Sequence, residues 1–99
     1  MSLNILGRIA HEISLSKGWW DQPRNPMEIA ALIHSEVSEF VEEERRAEYD
    51  EEKAMEEMAD VIIRVVDYCA FRGWDIDMAV AKKMEKNRTR ERRHGGKRF

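Results

Sequence analysis

The segment LIHSEVSEFVEE, residues 32–43, decides the fold that we expect for this chain. Its apolar residues recur every three or four positions, which is the period of an amphipathic α-helix. At about 100° per residue, Glu36 points into the apolar stripe and Glu39 lies at its edge, one turn further on. A carboxylate aimed at a core is costly unless its charge is compensated. Two such carboxylates repel each other, so a bound cation is the simplest compensation.

The next helical segment, residues 51–72, repeats this spacing of carboxylates. Glu57 and Asp60 flank its apolar positions, and Arg64 follows one turn later. A short connection between two helices makes them antiparallel neighbours, so the four carboxylates are expected to face each other. Oxygen ligands without His or Cys suit Mg²⁺, with Mn²⁺ as a substitute. The alternative is a salt-bridged helix margin with Arg64 as the partner.

The whole chain predicts a single all-α domain spanning residues 1–99, with four or five helices. A first helix is expected over 3–16, a second from about 26 to 46, and a fourth after Asp75 or Asp77. Ser2, Asn25 and Asp50 are the expected N-caps of the first three helices. The basic tail, residues 88–99, lacks apolar periodicity and is expected to end as a loop.

The composition indicates a helical protein with a thin core. The chain has 99 residues, of which 42% are hydrophobic and 37% charged, and folding should bury somewhat over ~60% of the unfolded surface. A partner subunit would help to complete the helical bundle. Cys69 has no second cysteine to pair with and is expected to be a small buried hydrophobe. The three methionines expected to fill core space are Met55, Met58 and Met84.

The sequence shows no sign of a membrane segment or an export signal. It contains no run of about 20 apolar residues and no basic segment followed by an apolar run and a cleavage site. We therefore expect a cytoplasmic location and no membrane partner.

The charges divide the chain into an acidic body and a basic tail. Residues 1–81 hold 8 Lys and Arg against 18 Asp and Glu, whereas residues 82–99 hold 9 against 2. One interpretation is that the tail grips phosphates held by a metal in the body, which points to phosphoanhydride hydrolysis. A second is a nucleic-acid-binding module, which is disfavoured because the acidic body would repel a duplex. A third is a non-catalytic helical regulator.

Several stretches, taken in order, resemble the MazG-like nucleotide pyrophosphohydrolases of the all-α NTP pyrophosphatase superfamily, relatives of the dimeric dUTPases and dCTP pyrophosphatases. They are KGWW (17–20), RN (24–25), ALIHSEVSE (31–39), EMADVIIR (57–64), DID (75–77), KME-x-N-x-x-R (83–90) and HGGK (94–97). The resemblance implies an all-helical subunit that forms a homodimer or homotetramer. It also implies Mg²⁺-dependent cleavage of nucleoside triphosphates between the α and β phosphates, giving a monophosphate and pyrophosphate. A house-cleaning role on nucleotide pools follows from that activity.

The resemblance also assigns roles to residues by position. The metal ligands it implies are Glu36, Glu39, Glu57 and Asp60. The phosphate-binding residues it implies are Lys83, Asn87, Arg90 and Lys97, which are expected to reach a site in their own or a neighbouring subunit. The base and sugar pocket it implies contains Trp19, Trp20 and His34. For the two tryptophans the alternative is closure of the end of the bundle, and for His34 it is a histidine with no catalytic role.

One position departs from the family pattern. Many members carry a second glutamate immediately before the first ligand, where this chain has Ser35. The carboxylate that activates water is therefore open, with Glu39 as the first catalytic candidate and Glu36 as the second.

Overall fold

The computed structural model describes residues 2–90, which form four α-helices and no β-strand. The helices are α1 (Leu3–Ser16), α2 (Pro26–Arg45), α3 (Glu51–Arg72) and α4 (Ile76–Thr89). The all-α prediction is confirmed. Two predicted boundaries were wrong, because α2 ends before Arg46 and α4 continues through residues 88 and 89 into the expected tail. A helix of good helix formers needs no apolar period to continue, and Arg88 pairs with Glu85 one turn away at 3.5 Å.

Side-chain caps fix where the helices begin. The Ser2 hydroxyl accepts a hydrogen bond from the Ile5 amide, and the Asn25 side chain accepts one from Met27 at 2.7 Å. Asp50 caps α3 and Asp75 caps α4 in the same way. Each cap satisfies amides that would otherwise lack a partner in the first turn. Local sequence therefore supplies a cap for every helix, although the starts of α1 and α4 also receive a cap from each other.

Helix α3 lies between α1 and α2 and runs antiparallel to both. On one side Glu36 meets Arg64 while the later Glu39 meets the earlier Glu57. On the other side Gly7 packs against α3 so closely that a Cβ atom there would lie 2.7 Å from the Val66 carbonyl oxygen. This register brings the functional faces of α1, α2 and α3 together.

The junction between α1 and α4 is made by exchanged caps. The Asn4 side-chain oxygen accepts hydrogen bonds from the amides of Ile76 and Asp77, at 3.0 and 3.2 Å. In return the Asp77 carboxylate accepts from the amides of Leu3 and Asn4. These polar contacts hold the N-termini of α1 and α4 together, and no residue of α4 is buried.

The core of the described residues is small. Its buried apolar members are Ala10, Ile29, Ala54, Val66 and Cys69, which confirms the buried position predicted for the cysteine. The prediction that three methionines fill core space was wrong, since Met55 and Met84 are 59% and 62% exposed and Met58 is also exposed. The helices that carry these methionines are packed on some faces only. The methionines lie on apolar faces that nothing within residues 2–90 covers.

Helix α1 carries the clearest uncovered apolar stripe. Ile5, Ile9 and Ile13 follow each other at four-residue spacing and are all exposed. None of the helices in the described part of the chain combines the length and apolar character needed to cross a membrane.

Candidate functional site

Three of the predicted carboxylates meet where α2 faces α3. Glu36, Glu39 and Glu57 each offer one oxygen, and these atoms all lie within 4.8 Å of one another. The first two come from one turn of α2, and the antiparallel register places the third opposite them. Three like charges this close repel each other unless a cation or a proton lies between them.

Glu57 is the residue in this cluster that most clearly lacks a partner. Its Oε2 atom is buried and has no hydrogen-bond partner within residues 2–90. Burial raises the pKa of this carboxyl above its usual value, and the neighbouring Glu39, Asp60 and Glu36 raise it further. A buried acceptor without a donor is costly. A divalent cation would supply the missing partner and reverse the repulsion.

Asp60, the fourth predicted ligand, lies next to this group but outside the set of three converging oxygens. It is one turn from Glu57 on α3 and close enough to influence the pKa of that residue. Together with Glu36 and Glu39 it lines one end of a cavity of about 480 Å³ between α1, α2 and α3. The structure thus brings three of the four predicted ligands into one cluster and the fourth to its edge.

The cavity has an apolar wall and a charged end. Its apolar wall comes mainly from Leu6, Ile9, Ile13 and Ile63. The carboxylates of Glu36, Glu39 and Asp60 lie at one end. Asp67 also lines the cavity, from the same helix α3 that carries Asp60. An open cavity with an apolar wall beside a carboxylate cluster has the general form of a small-molecule site.

Arg64 and Trp19 also line this cavity and contact each other. The Arg64 Nε atom donates to Glu36 Oε1 at 3.2 Å. Its guanidinium also lies 4.1 Å from the centre of the Trp19 ring, and that of Arg24 lies 3.8 Å from the same centre. Two guanidinium groups this close must occupy opposite faces, since on one face they would overlap. Trp19 therefore lines the cavity with both faces covered by cations.

A second depression, of about 460 Å³, lies on the other side of the carboxylates. It is lined by Glu39 and Glu57 together with Ser35, the residue that replaces the frequent family glutamate. Glu43 also lines this depression and pairs with Arg46 at 3.3 Å. Glu43, one turn beyond Glu39 on α2, therefore adds a further carboxylate to the depression that Ser35 lines.

The family model of the MazG nucleotide pyrophosphohydrolase domain matches residues 24–94 of this chain. That segment includes the three clustered glutamates and all of α2, α3 and α4. The chain belongs to the MazG nucleotide pyrophosphohydrolase family. Membership confirms the resemblance found in the sequence motifs, and MazG domains generally depend on a divalent metal. Searches of curated proteins and of solved structures found no match.

Helix α1 and the adjacent tryptophans Trp19 and Trp20 lie outside the segment that the MazG model matches. The two tryptophans have different surroundings. Trp20 stacks on Phe71, with ring centres 4.2 Å apart, and donates to the Ser14 hydroxyl at 2.9 Å. It closes the packing between α1 and α3, whereas Trp19 lines the cavity. His34 is exposed and lies two positions before Glu36 on α2, hence on the opposite side of that helix.

The predicted phosphate-binding residues are not gathered around the carboxylates in this chain. Lys83 and Asn87 are exposed on α4 and Arg90 is exposed at its C-cap, and the main contacts of α4 are with α1. They are not among the residues lining the cavity. Lys97 lies outside the described residues. Their predicted role therefore stays a prediction.

Sequence reasoning missed Asp67 and His11 and treated Arg64 only as a possible ion-pair partner. The Asp67 carboxylate is buried, at 6% exposure, and its Oδ1 lies 2.7 Å from His11 Nδ1. Since a carboxylate only accepts, the histidine donates from Nδ1. The available signal was spacing, because Asp60, Arg64 and Asp67 follow the i, i+4, i+7 pattern of one helix face.

Proposed function

We propose that this MazG-family protein is a Mg²⁺-dependent pyrophosphohydrolase that cleaves ribo- or deoxyribonucleoside triphosphates between the α and β phosphates. The products are a nucleoside monophosphate and pyrophosphate, consistent with a house-cleaning role on nucleotide pools. The observation that carries the proposal is the convergence of three glutamates around a buried carboxylate oxygen with no partner within residues 2–90. A role on nucleotide pools would place the protein in the cytoplasm.

The residues fit a hard divalent cation. Glu36, Glu39 and Glu57 would hold Mg²⁺ through carboxylate oxygens, with Asp60 beside them, and Mn²⁺ would substitute for it. When bound, the ion neutralises phosphate charge and leaves the pyrophosphate group easier to expel. The positive charge also compensates the repulsion that raises the pKa of Glu57.

The chain's own carboxylates would handle the proton. A water oxygen attacks phosphorus, the P–O bond between the α and β phosphates breaks, and pyrophosphate leaves. The proton of that water passes to a carboxylate. Glu39 is the first candidate because it is exposed, whereas Glu36 is engaged by Arg64. Arg64 lines the same cavity beside Glu36, where it would neutralise charge on the α-phosphate.

The basic residues of α4 would contribute from a second subunit. Lys83, Asn87 and Arg90 carry donors suited to phosphate oxygens. Because α4 packs mainly on α1, a homodimer or homotetramer would let these residues reach a site formed by another copy.

The deciding experiment measures pyrophosphate release from a panel of NTPs and dNTPs with Mg²⁺, with and without EDTA. Glu57→Gln should reduce turnover by about 100-fold or more, since metal stabilisation of phosphoryl charge is worth several kcal/mol. The matched control is Glu56→Gln, which changes an exposed neighbour on α3 and should keep turnover within about twofold.

A folded protein that binds Mg²⁺ but turns over none of the nucleotides would contradict the proposal. The nucleic-acid alternative predicts salt-sensitive DNA or RNA binding without any dependence on metal. Its basic segment after residue 90 lies outside the described residues.

A further inference from the structure

The cavity between α1, α2 and α3 contains a polar group that the hydrolytic chemistry does not use. The Asp67 carboxylate is more than nine-tenths buried and lines this cavity. Its Oδ1 accepts from His11, while its Oδ2 accepts no hydrogen bond from residues 2–90. A carboxylate that His11 holds by one oxygen, in a wall that is mostly apolar, is suited to recognise one donor on a ligand through its other oxygen.

The position of Asp67 along α3 determines which part of a nucleotide it would meet. At a rise of 1.5 Å per residue, it lies about 10 Å along the helix from Asp60 and about 15 Å from Glu57. The phosphates would sit at the carboxylate end. A nucleoside monophosphate spans a distance of this order, with its sugar in the middle and the edge of the base at the far end. Asp67 is therefore at the depth of the base.

We propose that Asp67, positioned by His11, is the base-recognition residue of this site and that it accepts a hydrogen bond from an amino group on the base edge. The inference rests on the proposed function. It predicts a preference for bases with an exocyclic amino group over bases with a carbonyl at the same position, because a carboxylate oxygen facing a carbonyl oxygen is repulsive.

The surroundings of Asp67 favour hydrogen bonding to the edge of the base, rather than stacking on its face, as the source of base selectivity. Both faces of Trp19 are covered by Arg24 and Arg64, and Trp20 stacks on Phe71. Neither indole offers an open face to a base without displacing a neighbour. Ser14 also lines the cavity, but its hydroxyl already donates to the His11 carbonyl oxygen and accepts from Trp20. Asp67 therefore offers the acceptor that can distinguish two bases of the same shape.

The test uses substrate pairs that carry an amino or a carbonyl group at the same position, with the adjacent ring nitrogen changing from acceptor to donor. These pairs are dCTP with dUTP and dATP with dITP, with kcat/KM measured for the full-length protein and Mg²⁺. The wild type should prefer the amino member of a pair whose base fits the cavity by about 10- to 100-fold. Asp67→Asn, whose amide can rotate to donate to a carbonyl, should remove or reverse that preference.

Two further measurements separate recognition from folding. Asp67→Glu keeps the charge but moves the oxygens, so it should reduce the amino preference, chiefly by raising KM for the amino substrate. His11→Gln should weaken the preference without abolishing turnover. If Asp67→Asn fails to fold, as judged by circular dichroism, these two variants carry the test.

The possible outcomes distinguish this inference from the proposed function. Turnover without any amino preference, or an unchanged preference in folded variants, would overturn the role of Asp67 and leave the function intact. The enzyme could instead distinguish dCTP from CTP and lose that sugar preference when Asp67 is changed. That result would overturn base recognition by Asp67 in favour of recognition of a sugar hydroxyl. Absence of turnover for every nucleotide would instead reject the proposed function. Binding of dCMP and dUMP, measured by calorimetry, would then test the base preference directly.

Discussion

At the residue scale, the most informative group is Glu57, whose buried oxygen lacks a donor and whose charge is opposed by three neighbours. In EDTA, Glu57→Gln should raise the unfolding temperature, because it removes a charged form that the folded state disfavours. Mg²⁺ should raise the unfolding temperature of the wild type and leave that of the variant nearly unchanged, since only a species that binds the folded state stabilises it. Differential scanning fluorimetry measures both effects.

The effect of Glu57 on the stability of the folded protein also changes with pH in a definite direction. A carboxyl with a raised folded pKa contributes stability below its unfolded value of 4.5 and loses it as pH rises through the higher folded value. In EDTA the wild type should therefore lose stability over that interval, and Glu57→Gln should lose less. Identical profiles of stability against pH for the two proteins would show that the folded state does not disfavour the charged form of Glu57. Glu56→Gln is the matched control, because that residue is exposed on the same helix.

At the element scale, the junction of α1 and α4 depends on Asn4. Its side chain donates to Asp75 at 2.8 Å and accepts from the amides of Ile76 and Asp77. Asn4→Ala should destabilise the protein by about 1–2 kcal/mol, since it removes a cap and leaves two amides without a side-chain acceptor. Urea unfolding measures this loss. Arg8→Ala, at an exposed position one turn later, should stay within about 0.5 kcal/mol.

This junction also predicts behaviour in acid. The hydrogen bond from Asn4, followed by that from the Met78 amide, lowers the pKa of Asp75 below its usual 3.8. A lowered folded pKa contributes stability above the unfolded value that is lost as pH falls through the folded value. Asn4→Ala should therefore show a smaller dependence of stability on pH below about 4. An unchanged dependence would mean that the Asn4–Asp75 contact does not hold in solution.

At the scale of the whole molecule, the small core and the stripe formed by Ile5, Ile9 and Ile13 predict association with a second copy. Ile5→Asp is the sharpest test, because this residue does not line the cavity. Burying one isoleucine is worth about 1.5–3 kcal/mol, so this change should weaken a dimer by at least about tenfold. Analytical ultracentrifugation measures the effect.

Met27→Ser is the control for that experiment, since Met27 is 72% exposed at the start of α2, away from the α1 stripe. It should leave the dimer dissociation constant unchanged. A wild-type protein that stays monomeric at micromolar concentration would contradict the prediction. It would also remove the route by which Lys83, Asn87 and Arg90 could reach another subunit's site.

Most of the local architecture could be predicted from the sequence. Ser2, Asn25 and Asp50 predict the starts of their helices, because an N-cap side chain acts on amides two or three residues away. The spacing of Glu36 and Glu39 likewise puts both on one turn. The carboxylate cluster was largely predictable for the same reason, once a short connection made α2 and α3 antiparallel. The exposure of Met55, Met58 and Met84 was not predictable, because periodicity shows which face is apolar and not whether anything covers it.

By itself, then, the sequence determined the four helices, their caps, the MazG family and the carboxylate pairs, all of which depend on residues within a few positions of one another. Only the tertiary structure decided that Arg64 joins Glu36 to Trp19, that Asp60 lies at the edge of the cluster, and that Asp67 meets His11 inside a cavity. The last two partners lie 56 positions apart. Such pairings depend on the register between packed helices, which close contacts such as that of Gly7 on Val66 fix and which no local pattern encodes.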